Sequence, residues 1–326
     1  MSLTRRRFLQ RAAGATALPA FSGIAQAQPY PARPVRIIAG FPAGGGIDLV
    51  ARLIGQRLSE RFGKPFITEN KPGAAANIAT ETVVRAPADG YTLLLAFTAN
   101  AINATLYDKL GFNFINDIAP VAGITETPLV MQVNPSFPAR TVPEFTAYAK
   151  ANPGKISMAS GSHGALGHVS GELFKAMSGV DMVHVPFRGD PAAIMALLAG
   201  DVQVHFAGVA ATIENIKTGK LRALAITTSV RSQSLLPDIP SMGEFLPGYQ
   251  SSAWFGIGAP RGTPAYIVDR LNAEINAALA DPVFKARLAA LGGTPLPGSP
   301  TDFGRLIAEE TEKWGKVIRA ANIKPE

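Results

Sequence analysis

Short aliphatic runs alternate along the chain with segments whose apolar positions recur every three or four residues, the pattern of strands each followed by an amphipathic helix. Val35-Arg36-Ile37-Ile38-Ala39 reads as the first strand, and Val50, Leu53, Ile54 and Leu58 lie on one face of the next helix, which Gly63 and Pro65 close. Further strands are predicted over 66–69, 92–97 and 128–133, with a helix over 77–85 between the first two. A second series opens at Thr141-Val142-Pro143-Glu144, a capping box whose helix ends at Pro153-Gly154. Strands over 155–160, 182–185, 202–206 and 221–227 then alternate with helices over 169–177, 191–199 and 213–217. From Pro264 the pattern is helical: Ile267, Leu271, Ile275 and Leu279 make one stripe, and Phe303, Leu306, Ile307, Trp314, Val317 and Ile318 another.

Strand then helix, repeated in two series, predicts parallel sheets covered by helices: an α/β fold of two comparable halves. The C-terminal part has too few strands to stand alone and is expected to fold back over one half, leaving a cleft between the two. No fixed repeat or low-complexity linker separates them, so strands crossing between halves are expected to form the join. With 326 residues, at roughly 100–200 per domain, each half can bury its own core. Residues 1–27 stand outside this pattern. Arg5, Arg6, Arg7 and Arg11 form a basic head, Gly14, Thr16 and Pro19 dilute a short apolar middle, and Ala25-Gln26-Ala27 ends it, so the segment reads as an export signal cleaved after Ala27. Adjacent arginines before Phe8-Leu9 mark the twin-arginine type.

Composition acts mainly by exclusion. A chain 47% apolar and 17% charged, without cysteine, is neither disordered nor a disulfide scaffold nor a thiolate zinc protein. The formal charge of +7 suggests a polyanion partner, yet residues 1–27 hold four of the 31 basic residues and none of the 24 acidic ones, which leaves +3 and no nucleic-acid patch. No later segment has 18 uninterrupted apolar residues, so a soluble periplasmic product is expected. Rossmann Gly-x-Gly-x-x-Gly and P-loop motifs are missing, and His163, His168, His184 and His205 never form His-Glu-x-x-His, so neither a cofactor nor a metal is expected. Ser160 and Ser162 sit near His163 outside any Gly-x-Ser-x-Gly context. They read either as turn and cap residues or, alternatively, as the nucleophile of a secreted serine hydrolase.

Two strand-to-helix loops carry the positive signal: residues 41–46 and 160–167, both rich in Gly and small side chains. Open α/β sheets receive ligands at such junctions. There, backbone N–H groups point out of the positive end of a helix dipole, and Gly lets an oxygen approach them. A carboxylate is the fitting guest. At about 1.5–3 kcal/mol per hydrogen bond to a charged group, three or four contacts reach the roughly 8 kcal/mol of a micromolar complex without an arginine clamp.

At these loops the chain resembles a known family. Phe41-Pro42-Ala43-Gly44-Gly45-Gly46-Ile47-Asp48 with Ala51-Arg52, Asn70-Lys71-Pro72-Gly73-Ala74 and Pro87-Ala88-Asp89-Gly90-Tyr91-Thr92-Leu93-Leu94 are similar to its signatures. So are Val185-Pro186-Phe187-Arg188-Gly189 and Leu236-Pro237-Asp238-Ile239-Pro240-Ser241. The family is that of the tripartite tricarboxylate transporter receptors, TctC-like proteins also called Bug (Bordetella uptake gene) solute-binding proteins, and the likeness runs from about Tyr30 to the C-terminus.

The resemblance implies two Rossmann-like lobes with a cleft between them, in a periplasmic-binding-protein (type II-like) architecture, with residues 28–127 and 255–326 in lobe 1 and 128–254 in lobe 2. It implies a monomeric, non-enzymatic receptor that closes on a small carboxylate and delivers it to a two-component membrane permease. A sensor that reports occupancy to a membrane kinase is the alternative. By the same resemblance, main-chain amides of Ala43, Gly44 and Gly45 face those of Ser160, Gly161, Ser162 and Gly164, with Phe41 in the first loop and Thr98, Asn100 and Gly208 lining the cleft. Trp254-Phe255-Gly256 falls where the chain recrosses. The chain departs from the family pattern at Ala75-Ala76-Asn77, where Gly-Gly is common, and at Ser162-His163-Gly164-Ala165, where an imidazole replaces a hydroxyl, so no named substrate is carried over. Other readings stay open. Asp48 either stabilises its helix N-terminus or touches ligand. Arg188 either reaches a second carboxylate or pairs with Asp190. His163 can donate to a ligand when protonated, whereas His168, His184 and His205 read as structural, Trp254 as hinge packing and Asn77 as a cap.

Overall fold

The computed structural model describes residues 30–231 and 236–325, and the segment 1–27, read from sequence as an export signal, lies outside them. The first half holds β1 (Val35–Ala39), α1 (Gly46–Phe62), β2 (Phe66–Asn70), α2 (Asn77–Val84), β3 (Thr92–Phe97), α3 (Thr98–Leu106) and the single turn α4 (Phe114–Asp117). β4 (Ile118–Val133) leaves it, followed by α5 (Val142–Ala151), β5 (Ile156–Ser160), α6 (Leu166–Ser178), β6 (Met182–Pro186), α7 (Asp190–Ala199), β7 (Val204–Gly208), α8 (Val209–Lys217) and β8 (Arg222–Ile226). β9 (Ser252–Pro260) returns, and α9 (Ala265–Ala280), α10 (Pro282–Ala290), β10 (Thr294–Pro295) and α11 (Pro300–Ala320) complete the chain.

Strand order is β2-β1-β3-β9-β4-β7-β5-β6, with β8 and β10 also paired to β4. β4 belongs to both sheets: residues 118–128 pair antiparallel with β9, and 129–133 pair with β7 and β8. This fixes the sense of everything else. β3 is antiparallel to β9, and β9 to β4, so β1 and β3 run in the direction of β4, towards the second half. β7 is antiparallel to β4 and parallel to β5, so these strands run towards the first half. The C-terminal ends of both parallel sets therefore meet at the crossover.

Helix stripes build the cores as their spacing predicts. Val50, Ala51, Ile54 and Leu58 of α1 pack on Val35 and Ile37 of β1, and Gly63, left-handed at φ 66°, stops the helix by donating to the Ser59 carbonyl. Gly55 allows the close approach, since a Cβ there would lie 3.1 Å from the Phe66 carbonyl. The Thr141 hydroxyl caps α5 through the Glu144 N–H at 3.2 Å, as its sequence implies. Phe303, Ile307, Trp314, Val317 and Ile318 of α11 bury against α3 and β4, each large side chain contributing roughly 1.5–3 kcal/mol. α6 joins two cores: Phe174 lies in the second half's cluster, while Val169 packs with Leu106, Trp314 and Ile318 of the first.

Three elements differ from the sequence reading. β4 starts at Ile118, ten residues before the predicted 128, with register shifts after Pro120 and Gly123. α3 follows β3 without a gap, and the C-terminal helix breaks at Asp281-Pro282 into α9 and α10. Thr227, beyond β8, ties the crossing: its hydroxyl accepts from the Leu129 N–H at 2.8 Å and has the Ser251 carbonyl at 2.6 Å. Ser251 meets Ser170 of α6 at 2.5 Å, and Ser170 also accepts from the Tyr249 hydroxyl through its carbonyl.

Ala74, Ala75 and Ala76 all have positive φ, at 47°, 51° and 77°, held by the Asn103 amide donating to the Ala75 carbonyl at 2.7 Å. A left-handed L-residue costs roughly 1–2 kcal/mol. Exposed Ala75→Gly is expected to stabilise the fold by about 0.5–1 kcal/mol in denaturant unfolding. Thr227→Val, nearly isosteric, leaves buried donors and acceptors unmatched and is expected to cost about 1–3 kcal/mol in the same measurement.

Candidate functional site

The crossover collects strand-to-helix loops from both halves. Gly208, last in β7, registers with Leu129 of β4, and the next β4 residue back, Pro128, registers with Ser252 of β9. The Thr98 hydroxyl at the end of β3 bridges the Ser252 carbonyl (3.3 Å) and the Trp254 N–H (2.8 Å). Thr98 and Gly208, from opposite halves, are thus held around one seam. Gly164 in the second half backs onto Leu106 in the first, where an added Cβ would come within 2.3 Å of the leucine side chain.

In the first half, residues 41–46 are exposed, and α1 begins at N-cap Gly45 without a side-chain cap. Asp48 lies beneath the loop. Its Oδ2 accepts from the Gly44 N–H (2.9 Å) and Arg52 Nε (2.8 Å), its Oδ1 accepts from Asn70 Nδ2 (2.9 Å), and Asn70 also donates to the Phe41 carbonyl (2.9 Å). The Arg52 hydrogen bond, aided by those from Gly44 and Asn70 and opposed by burial, holds the Asp48 carboxyl at about 2. Of its two sequence readings, the structure displays the loop-stabilising one, with the Gly44 amide committed to it. Phe41 packs edge-on against Phe97 at 5.5 Å, and Phe97 stacks on Phe255 at 6.4 Å, making an aromatic wall along the seam. The Phe97 and Phe255 contributions were not read from sequence, although their alternation along β3 and β9 puts both on one face. Asn100 is tied up locally, accepting from the Phe97 N–H and donating to Thr80, each at 2.9 Å, and Asn77 accepts from Asn103 at 3.0 Å.

In the second half, α6 and α8 start at Ala165 and Gly208, again without side-chain caps. Ser160 is fully buried; its hydroxyl donates to the Ser162 carbonyl (2.9 Å) and therefore accepts from His184 Nε2–H (2.6 Å). The serine thus pairs with His184 and not with His163. Gly164, at φ 67°, donates its N–H to His168 Nδ1 at 3.1 Å. Gly161 accepts from the Gly189 N–H at 2.7 Å, and a Cβ on it would meet Asp190 at 2.8 Å. Burial first, then repulsion from His163 and Lys175, pushes His168 to about 3 and His184 to about 4, with His184 itself adding to the shift at His168. Both are neutral supports of the loop, in line with their structural reading from sequence, although their meeting was not foreseen because His184 comes from the neighbouring strand. Arg188 is exposed and makes no hydrogen bond or ion pair among the described residues; Asp190 lies instead 3.4 Å from buried His205. Trp254 is buried edge-on to Phe303, within the core that Trp314 and Ile318 share.

Two α/β halves whose parallel strands end head to head, with uncapped helix N-termini at the seam, define a two-lobed binding protein. The family model described as "Tripartite tricarboxylate transporter family receptor" matches residues 50–323. Protein BugT of Bordetella pertussis is 35% identical over 311 residues, covering 94% of this chain and 95% of that protein. The structure of R. palustris Rpa4515 with adipate aligns with a TM-score of 0.78 at 35% identity, covering 91% of this chain and 100% of that one. MatC from Rhodopseudomonas palustris with bound malate aligns with a TM-score of 0.73 at 32% identity, over 89% and 100% of the two chains. The chain belongs to the tripartite tricarboxylate transporter family of receptors.

Because the Asp48 carboxyl lies below its ordinary 3.8, its stabilisation is complete above about pH 4 and fades as pH falls towards 2. With Arg52 half exposed and solvent-screened, Asp48→Asn is expected to lower stability by about 1–2 kcal/mol at pH 7 and by nothing near pH 2, as read from unfolding at both pH values.

Proposed function

We propose that this receptor is exported to the periplasm through a twin-arginine signal cleaved after Ala27, works there as a monomer, and closes its halves on a small dicarboxylate. Closure would carry the ligand to a two-component membrane permease. Lobe limits at 28–127 with 255–326, and 128–254, are part of this reading, and the crossing at β4 and β9 supports them. The observation that carries this reading is the group of helix N-termini at α1, α6 and α8, each without a side-chain cap and each at the C-terminal end of a parallel strand. Amides of Ala43, Gly45, Ser162 and their neighbours supply donors where the helix dipoles favour an anion. Gly208 leaves open space for a ligand at the third N-terminus.

The ligands of the two solved relatives, adipate and malate, are both dicarboxylates. Phe41, Phe97 and Phe255 offer an apolar wall for the carbon spacer, and exposed Arg188 can meet the distal carboxylate. No proton transfer or covalent step is needed for this role. Ser160, buried and donating to a carbonyl, serves the loop's shape.

Calorimetric titration of the mature chain with adipate, malate and the uncharged diamide adipamide tests this. At least one diacid is expected to bind at micromolar affinity or tighter and to add about 2.7 kcal/mol of stability at a hundredfold excess over Kd. Adipamide is expected to leave the protein unchanged. Binding of adipamide as tightly as the diacids, or a melting shift only with uncharged sugars, would refute the anion reading.

A further inference from the structure

Beside the second loop, on the flank of α6, three imidazoles come together from separate parts of the chain. One ring nitrogen from each of His163, His168 and His184 lies within 4.8 Å of the other two. His163 stands edge-on to both partners, at 5.7 and 5.0 Å between ring centres, while His168 and His184 lie parallel at 3.4 Å. One helical turn on, the Glu172 carboxylate sits 3.8 Å from His168 Nε2 with its side chain only 10% exposed. A cavity of about 430 Å³ opens over the group, closed on its far side by residues 321–325 beyond α11.

We propose that His163, His168 and His184 bind a divalent transition-metal ion of the zinc, nickel or copper class, with Glu172 as the adjacent anionic group. Imidazole nitrogen is the donor these ions favour, and a carboxylate offsets their charge. The two inner rings differ in readiness. Gly164 donates to His168 Nδ1, so the ring proton sits on Nε2, towards Glu172; an ion on Nε2 requires that proton to pass to Nδ1, with the Gly164 hydrogen bond given up. Ser160 accepts from His184 Nε2–H, which leaves the Nδ1 lone pair of that ring unprotonated. Glu172 exchanges its present Lys175 partner, at 3.0 Å, for the ion.

The group must contract to do this. Metal–nitrogen bonds of about 2.0–2.1 Å in a tetrahedral site put the nitrogens roughly 3.4 Å apart. Lone pairs lie in the ring planes, so two parallel rings cannot both point at one ion, and His184 has to turn out of the stack. The cavity gives it room, and His163 and His184 are both only half-buried.

Cobalt(II) and zinc(II) titrations of the full chain test the proposal, with absorption spectroscopy for cobalt and competition against a chromophoric chelator for zinc. One equivalent is expected to bind with a nitrogen-coordinated cobalt spectrum. His163→Ala, at a half-buried position, and His184→Gln, which keeps a donor for Ser160, are each expected to weaken binding by about tenfold or more in a chain that still unfolds in one cooperative transition. A chain that takes up no stoichiometric metal, or whose affinity is unchanged by both substitutions, overturns the assignment. Because neither ion is a carboxylate, the outcome is independent of the diacid titrations.

Discussion

The direction of one strand governs this molecule. β4 is continuous through both sheets, so every partner on either side takes its polarity from it. Parallel strands in the two halves are thereby forced to run at each other, and the loops where open α/β sheets place their ligands end up on opposite sides of a single seam. Around that seam the hydrogen bonds are of an unusual kind, hydroxyl to backbone: Thr98 to Ser252 and Trp254, and Thr227 to Leu129 and Ser251. Hydroxyls satisfy the backbone where the ladder changes partners, so the Leu129 and Trp254 N–H groups are paired at the crossing.

The two loops solve the same problem by different means. In both, a glycine amide is tied down from behind so that its neighbours can face outwards. On one side the tie is an anion, Asp48, neutralised by Arg52; on the other it is a neutral imidazole, His168. A carboxylate under the proposed anion site would weaken it unless its charge were already answered, and the guanidinium and the Asn70 amide answer it. The second loop avoids the question by using groups that burial keeps uncharged.

Much of this was legible in the chain. The stripes of α1 and α11 and the strand-helix order reported directly on the fold, because each is a local consequence of burial on one face; of the capping box at α5 only the Thr141 half forms, since Glu144 accepts from the Arg140 N–H instead. The 41–46 and 160–167 runs were legible as strand-to-helix loops, since Gly and small residues there break one element and open the next. What escaped depended on distant partners. β4 holds prolines at positions 120 and 128, which disguise a strand, and the register shifts that accommodate one of them exist only when β9 is alongside. α3 lacks a conventional cap residue, as Asn100 reaches back to the Phe97 amide in its place. The histidines at 163, 168 and 184 have no motif spacing, and only the β5–β6 pairing brings the third to the other two.

α6 has a consequence for how the molecule comes apart. Its Phe174 face is built into one core and its Val169 face into the other. Two-lobed proteins are often pictured as a pair of bodies on a flexible strap, each able to melt alone. Here, loosening either core strips apolar cover from a helix that the other core also needs, so fluctuations that open one half propagate into its neighbour. Folding and unfolding of the two halves are thereby coupled through one helix.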